Sequence, residues 1–80
     1  MIAKLKFNLD DPDDKMSHLR CIKATEMMVT LYEMDQHLRS ITKYASDSMS
    51  QETYDELIKV REKLHEIMGE NGISFEGLIE

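Results

Sequence analysis

The sequence predicts a mainly α fold: one small domain of three helices with short N- and C-terminal strands, assembling as a homo-oligomer. Three observations lead there. Met27, Leu31, Met34, Leu38, Ile41 and Ala45 follow one another at alternating steps of four and three, which lines them up as one stripe along a helix that must be buried against something. Leu57, Val60, Leu64 and Ile67 repeat at the same spacing, widened by Ile58 and Met68, so another helix carries a matching stripe and packs antiparallel on the first. Ala3, Leu5, Phe7 and Leu9 alternate with Lys4, Lys6 and Asn8, the period of two that marks a strand with one buried face.

Taken in order, the N-terminal strand spans residues 2 to 8 and ends at Asp10-Asp11-Pro12. Proline cannot extend a β-ladder, but it fits the first turn of a helix, where its missing N–H costs nothing. Asp11 is then the N-cap, with Asp13 and Asp14 at the positive end of the helix dipole. The first helix covers residues 12 to 23 and turns Met16, Leu19 and Ile22 inwards, with Cys21 beside them as a packing residue. Lys23-Ala24-Thr25 forms a joint at which Thr25 caps the long helix ending at Tyr44. An uninterrupted helix from 12 to 44 is the competing reading. The small polar run ASDSMSQ after Tyr44 is a loop. Ser50 caps the third helix, or Ser48 with Gln51 makes a capping box two residues earlier. Asn71 and Gly72 stop that helix, glycine being the residue that most readily takes the left-handed conformation. Ile73, Ser74 and Phe75 then alternate as a second short strand able to pair with the first.

With 80 residues there is one domain and a thin core, since a chain of this size buries only about 60 to 65% of its unfolded surface. A single cysteine allows no internal disulfide, and no closely spaced metal-ligand pair stands in for one. Oligomerisation is the remaining device, and Met28 and Tyr32, on the flank of the long stripe, are the expected subunit contact. One cysteine among seven methionines suits a reducing cytoplasm. No apolar run approaches the roughly 18 residues of a membrane span. The net charge of -6 opposes general nucleic-acid binding, which needs a basic footprint.

Candidate chemistry is sparse. His18, His37 and His65 fall on three different predicted helices without the close pairing of a metal site, so neither metal nor cofactor is expected. Sixteen acidic residues guarantee neighbouring carboxylates, which read as a solvated face, and no enzymatic activity is expected. Gly69, Gly72 and Gly77 sit at or after the last helix, where they form no phosphate loop. The candidate ligand site combines Arg20, Lys23 and Thr25 at the first joint with Arg39, Lys43 and Tyr44 near the end of the long helix, and Tyr32 as a further stacking face. Cations beside a hydroxyl and an aromatic ring can hold a phosphate or a base if folding or assembly brings them together. In the simpler reading, Arg39 and Lys43 pair with Asp35 and Glu33 along the helix surface. Asp35 lies at the edge of the apolar stripe, and Arg39 one turn on is its expected partner, the two setting helix register or an interface.

Phe7-Asn8-Leu9 followed by Pro12, Leu31 to Arg39 (LYEMDQHLR) with Lys43-Tyr44, Tyr54 with Arg61-Glu62-Lys63-Leu64, and the closing Asn71-Gly72-Ile73 together resemble a family of small bacteriophage-encoded proteins. The likeness covers nearly the whole chain. Where family members often carry proline after the Phe-Asn-Leu triplet, glycine at the first joint and tryptophan before Leu-Arg, this chain has Asp10, Ala24 and His37. A softer joint and a weaker stacking role for position 37 follow.

The resemblance implies a phage context, the cytoplasm of a host cell, and a counter-defence protein. Such a protein would capture a host defence protein or sequester a phosphate-bearing signal of the cyclic-nucleotide type. The alternative is a structural or regulatory protein-interaction module with no ligand. On the stripe alone, Leu38→Asp should abolish the urea-unfolding transition, because an unpaired buried charge costs several kcal/mol in a domain whose whole stability is of that order. Glu62→Ala, on the solvated face of the third helix, should leave the midpoint unchanged.

Overall fold

The computed structural model describes residues 1–79 and contains three helices, α1 Pro12–Ile22, α2 Ala24–Lys43 and α3 Gln51–Glu70. The start of α1 is built as its sequence requires. Asp11 accepts the Asp13 N–H at 3.1 Å, Pro12 occupies the first turn, and the Asp14 carboxylate accepts the Asn8 N–H at 2.9 Å. Asn8 also turns its own side chain back onto the Asp10 N–H at 3.1 Å, while Phe7 lays its ring 5.5 Å from that of His18. The Phe-Asn-Leu stretch is thus a turn that staples the entry of the helix.

The two predicted strands are absent among the described residues. A strand has no internal hydrogen bonds and exists only if a neighbour supplies them. The proposed neighbour is otherwise committed, because the Ile73 N–H donates to the Met68 carbonyl at 2.9 Å. Leu5 therefore stays 77% exposed.

The joint lies between the two readings. Lys23 alone leaves helical geometry, with φ -99° and ψ 2°, while its N–H still reaches the Leu19 carbonyl at 3.1 Å and its carbonyl accepts the Met27 N–H at 3.0 Å. Lys23 is the N-cap of α2 and offers no side-chain cap; Thr25 falls inside the first turn, so its predicted capping role is not taken up. The hydrogen-bond ladder nearly bridges the break, and α1 continues away from α2 instead of folding across it. It makes contacts with α2 and none with α3. The molecule is accordingly long, 55 × 30 × 20 Å, with a radius of gyration of 17.7 Å against roughly 12 Å for a compact chain of this length. Met16, Leu19, Ile22 and Cys21, predicted to face inwards, are all exposed.

What remains is a helical hairpin. The Ser50 hydroxyl accepts the Thr53 N–H at 3.1 Å and starts α3, whereas Ser48 pairs with the Ser46 hydroxyl at 2.8 Å and forms no capping box. At the far end Ile73 N–H bonds to the Met68 carbonyl and Gly72 N–H to the Gly69 carbonyl, with Gly72 at φ 70°. This is the paired closure in which the left-handed residue lets two late carbonyls find donors.

The contact seam between α2 and α3 is rotated from the predicted stripes by roughly a sixth of a turn. Asp35, Leu38 and Thr42 of α2 and Met68 of α3 are buried, flanked by half-buried Met28, Leu31, Tyr32, Ile41, Leu57, Ile58, Arg61 and Leu64. Leu38 holds its predicted place. Met27, Met34, Val60 and Ile67, all expected in the stripes, stay about half exposed because a charged residue occupies the centre of the contact on each helix.

Two glycines at the same helix end should respond with opposite signs. A Cβ at either Gly69 or Gly72 would meet nothing within 4 Å, so only backbone terms operate. Gly72→Ala forces a side chain into the left-handed region and should lower stability by about 1 kcal/mol. Gly69→Ala, in the helix proper, should raise it by about 0.5 kcal/mol. Urea midpoints moving in the same direction would contradict the closure described.

Candidate functional site

The densest polar constellation lies mid-hairpin. Asp35, 2% exposed, receives the Arg61 guanidinium through Nε at 2.9 Å and Nη2 at 3.2 Å, and the His65 ring through Nε2 at 2.6 Å. An ionised carboxylate only accepts, so the His65 Nε2 carries the proton in this contact. Gln36 adds an amide N–H at 3.3 Å. The partner is thus supplied by α3 from across the contact. The predicted partner, Arg39, makes no ion pair among the described residues. Arg39 and Lys43 do not pair with Asp35 and Glu33 either.

Burial by itself works hardest against the Asp35 charge, but the hydrogen bonds from Arg61 and His65, with the charges behind them, outweigh it together and hold the carboxyl below its usual range. The same bond raises the Arg61 guanidinium above its usual value, more than burial lowers it. Chemically, Asp35 beside His65 has the form of a base and its orienting carboxylate. Ser74, lining the same cleft as His65, donates its hydroxyl to the Glu76 carbonyl at 2.7 Å. Phe75 closes over the group, its ring 6.0 Å from His65 and 5.3 Å from Tyr32 in edge contacts. The constellation ties α2 to α3 in one register.

The residues nominated from sequence fall in three places. Arg20, in the last turn of α1, Lys23 at the break and Thr25 in the first turn of α2 are exposed and adjacent. Arg39, Lys43 and Tyr44 gather at the other end of α2, where the Lys43 ammonium stands 5.5 Å from the Tyr44 ring centre and Tyr44 is 74% exposed. Tyr32 lies between them, half-buried under Phe75, with that face already used. Lys23 and Arg39 are sixteen residues apart on one rod, roughly 24 Å. Folding of one chain does not unite the two groups.

Thr25 instead opens onto an apolar cleft at the joint, about 470 Å³, lined by Ala24, Met27, Met28, Leu31, Ile73 and Leu78. Here α2 runs past the end of α3, and the segment after Gly72 only partly covers the exposed inner face. Arg20 and Lys23 lie just N-terminal to it. The sequence signals for this site were the missing glycine at the joint and the apolar pair Leu78-Ile79, neither of which identifies a cleft until α1 is known to project. Arg61 and His65 had a weak signal: both interrupt the apolar positions of α3 near the centre of its buried face.

No group of three or more potential metal ligands occurs among the described residues, and no described helix is long and apolar enough to cross a membrane. No protein-family model matches the chain, and no curated protein or solved structure shows significant similarity to it.

The ion pair should be unequal in its two halves. Removing Arg61 strands a covered carboxylate, so Arg61→Met should cost about 3 kcal/mol. Asp35→Leu strands a guanidinium that is 31% exposed and can swing into water, and should cost less, about 1 to 2 kcal/mol. The double variant should recover much of the loss. Because the Asp35 pKa is depressed in the folded state, its contribution is complete above the unfolded value of about 3.9 and disappears as pH falls through the lower folded value. Urea midpoints of the wild type should therefore fall with acidity below about pH 4, and more steeply than those of Asp35→Asn.

Proposed function

We propose that this is a phage-encoded binding protein that captures a component of the host's defences, working as a homo-oligomer in the host cytoplasm and without chemistry of its own. The phage setting rests on the resemblance carried by Phe7-Asn8-Leu9 with Pro12, Leu31 to Arg39, and Arg61 to Leu64. Of the two modes of capture, contact with a protein is favoured over sequestration of a phosphate-bearing nucleotide. The observation that carries this choice is the joint cleft. Its lining is Ala24, Met27, Met28, Leu31, Ile73 and Leu78, with Thr25 as the single hydroxyl. A partner side chain of leucine or phenylalanine size buried there gains about 1.5 to 3 kcal/mol, and methionines adapt to its shape. Arg20 and Lys23 beside the cleft answer an acidic residue next to that anchor and speed the encounter. A phosphate, by contrast, meets only one of the two separated cationic groups.

The test uses the immobilised full chain on host lysate, with Leu78→Glu and Lys23→Ala in parallel after each is shown to be folded by dichroism. Leu78→Glu should reduce the retained partner at least about tenfold, and Lys23→Ala should reduce it less. A thermal-shift panel of cyclic nucleotides should leave the wild type unmoved. A shift that Lys23→Ala abolishes would replace the protein reading with the nucleotide one.

A further inference from the structure

The hairpin has two open sides, and they are treated differently. On one, Phe75 from the chain's own C-terminal segment packs edge-on against Tyr32 and His65, half-burying Tyr32 and leaving the His65 side chain 48% exposed. On the other, none of the described residues lies over the helices' mid-length. Met27 and Met34 are 51% and 56% exposed on α2, and Val60 and Ile67 are 53% and 46% exposed on α3.

Helix geometry places these four on one face. At about 100° per residue, Met27 and Met34 lie some 80° to 100° round α2 from the inward-facing Asp35, and Val60 and Ile67 some 100° to 120° round α3 from Arg61, in the same rotational sense. In an antiparallel pair the same sense on both helices leads to the same side. Tyr32 and His65 lie in the opposite sense, on the covered side. The open face is therefore a continuous apolar strip, Met27, Met34, Val60 and Ile67, underlain by half-buried Leu31, Leu57 and Leu64 and buried Leu38.

We propose that a second copy of this chain covers that face, so that two hairpins stack into a four-helix bundle. This deepens the homo-oligomer reading by naming the surface and the stoichiometry, and it moves the subunit contact away from Met28 and Tyr32, which are half-buried within the chain. The area argues for it. The chain exposes 6877 Å², where a compact monomer of 9.4 kDa exposes roughly 5,000 Å². That surplus is shared between the exposed N-terminal segment, the projecting α1 and the hairpin face, and the face supplies its part of it toward the roughly 800 Å² per partner that a stable interface buries. The core argues for a permanent occupant: Leu38 and Met68 are the buried apolar residues among those described, too few to hold a hairpin together alone. A second copy is present whenever the chain folds, and a twofold contact needs only a self-complementary patch. The rim permits it, since His37 and Thr30 border the strip on α2 and Glu56 and Lys63 border it on α3. Those signs are mixed, so the overall charge of -6 is not concentrated against itself.

Sedimentation equilibrium on the full chain between about 1 and 100 µM tests this. The wild type should have twice the 9.4 kDa chain mass, and its urea midpoint should rise with concentration. Met34→Glu with Val60→Glu should weaken self-association at least about 100-fold. Val29→Glu, on the other flank of α2, should leave the mass unchanged. Should the double glutamate variant fail to fold, Met34→Gln with Val60→Gln serves the same comparison. A wild type of single-chain mass throughout overturns both the oligomer and this face. A dimer that survives the Met34 and Val60 changes, or dissociates only with Val29→Glu, overturns the face while leaving self-association intact.

Discussion

One carboxylate organises this molecule. Asp35 is the most thoroughly covered side chain among the described residues of the hairpin, and its charge is tolerated only because α3 delivers a guanidinium and an imidazole to it from successive turns. Such a node adds little net stability compared with an apolar contact of equal size, but it punishes error. Sliding α3 by one turn, roughly 5.4 Å, would break the two-point hold, because only Arg61 or only His65 would then stand opposite the covered charge. The node selects the register and rotation of the two helices more than it strengthens them. Leu38, Thr42 and Met68 are buried because that rotation buries them.

The same rotation explains the surface. With the contact centred on Asp35 and Arg61, the apolar stripes of both helices are turned partly to one side, and two helices have only one contact to share. Methionines 27 and 34 and their counterparts on α3 are left with water on their outer halves. At the other extremity α1 has no hairpin to pack on, since the single-residue break at Lys23 bends the rod without reversing it. The chain leaves apolar surface on the hairpin face and in the joint cleft, which meet at Met27 and Leu31, so a constitutive contact on the first would border an exchangeable one in the second. That division of labour is what the proposed capture role asks for.

The split of the basic residues matters as much. Helical rods keep distances along their axis, so residues at the two ends of α2 cannot converge within one chain, whatever their individual chemistry. Tyr32, midway, has given its ring to Phe75. The electrostatics that remain local are Arg20 and Lys23 at the joint and Arg39, Lys43 and Tyr44 at the hairpin loop.

Much of the local structure was legible in the sequence. Asp11 with Pro12, Ser50, and Asn71-Gly72 fixed three helix ends through hydrogen bonds that span two to five residues, and the apolar spacing gave two long helices and the burial of Leu38. These outcomes depend on near neighbours in the chain, which a sequence displays directly. The strands, the inward face of α1, the cap at Thr25 and the partner of Asp35 were not legible in the same way. A strand needs a neighbour that the chain never provides, and α1 buries nothing because whether it folds back depends on one pair of dihedral angles at Lys23. Asp35 chose Arg61, twenty-six positions away, over Arg39 on its own helix. Spacing cannot weigh a local pair that stays in water against a distant pair that forms only when two helices meet, and the covering of that carboxylate decides between them.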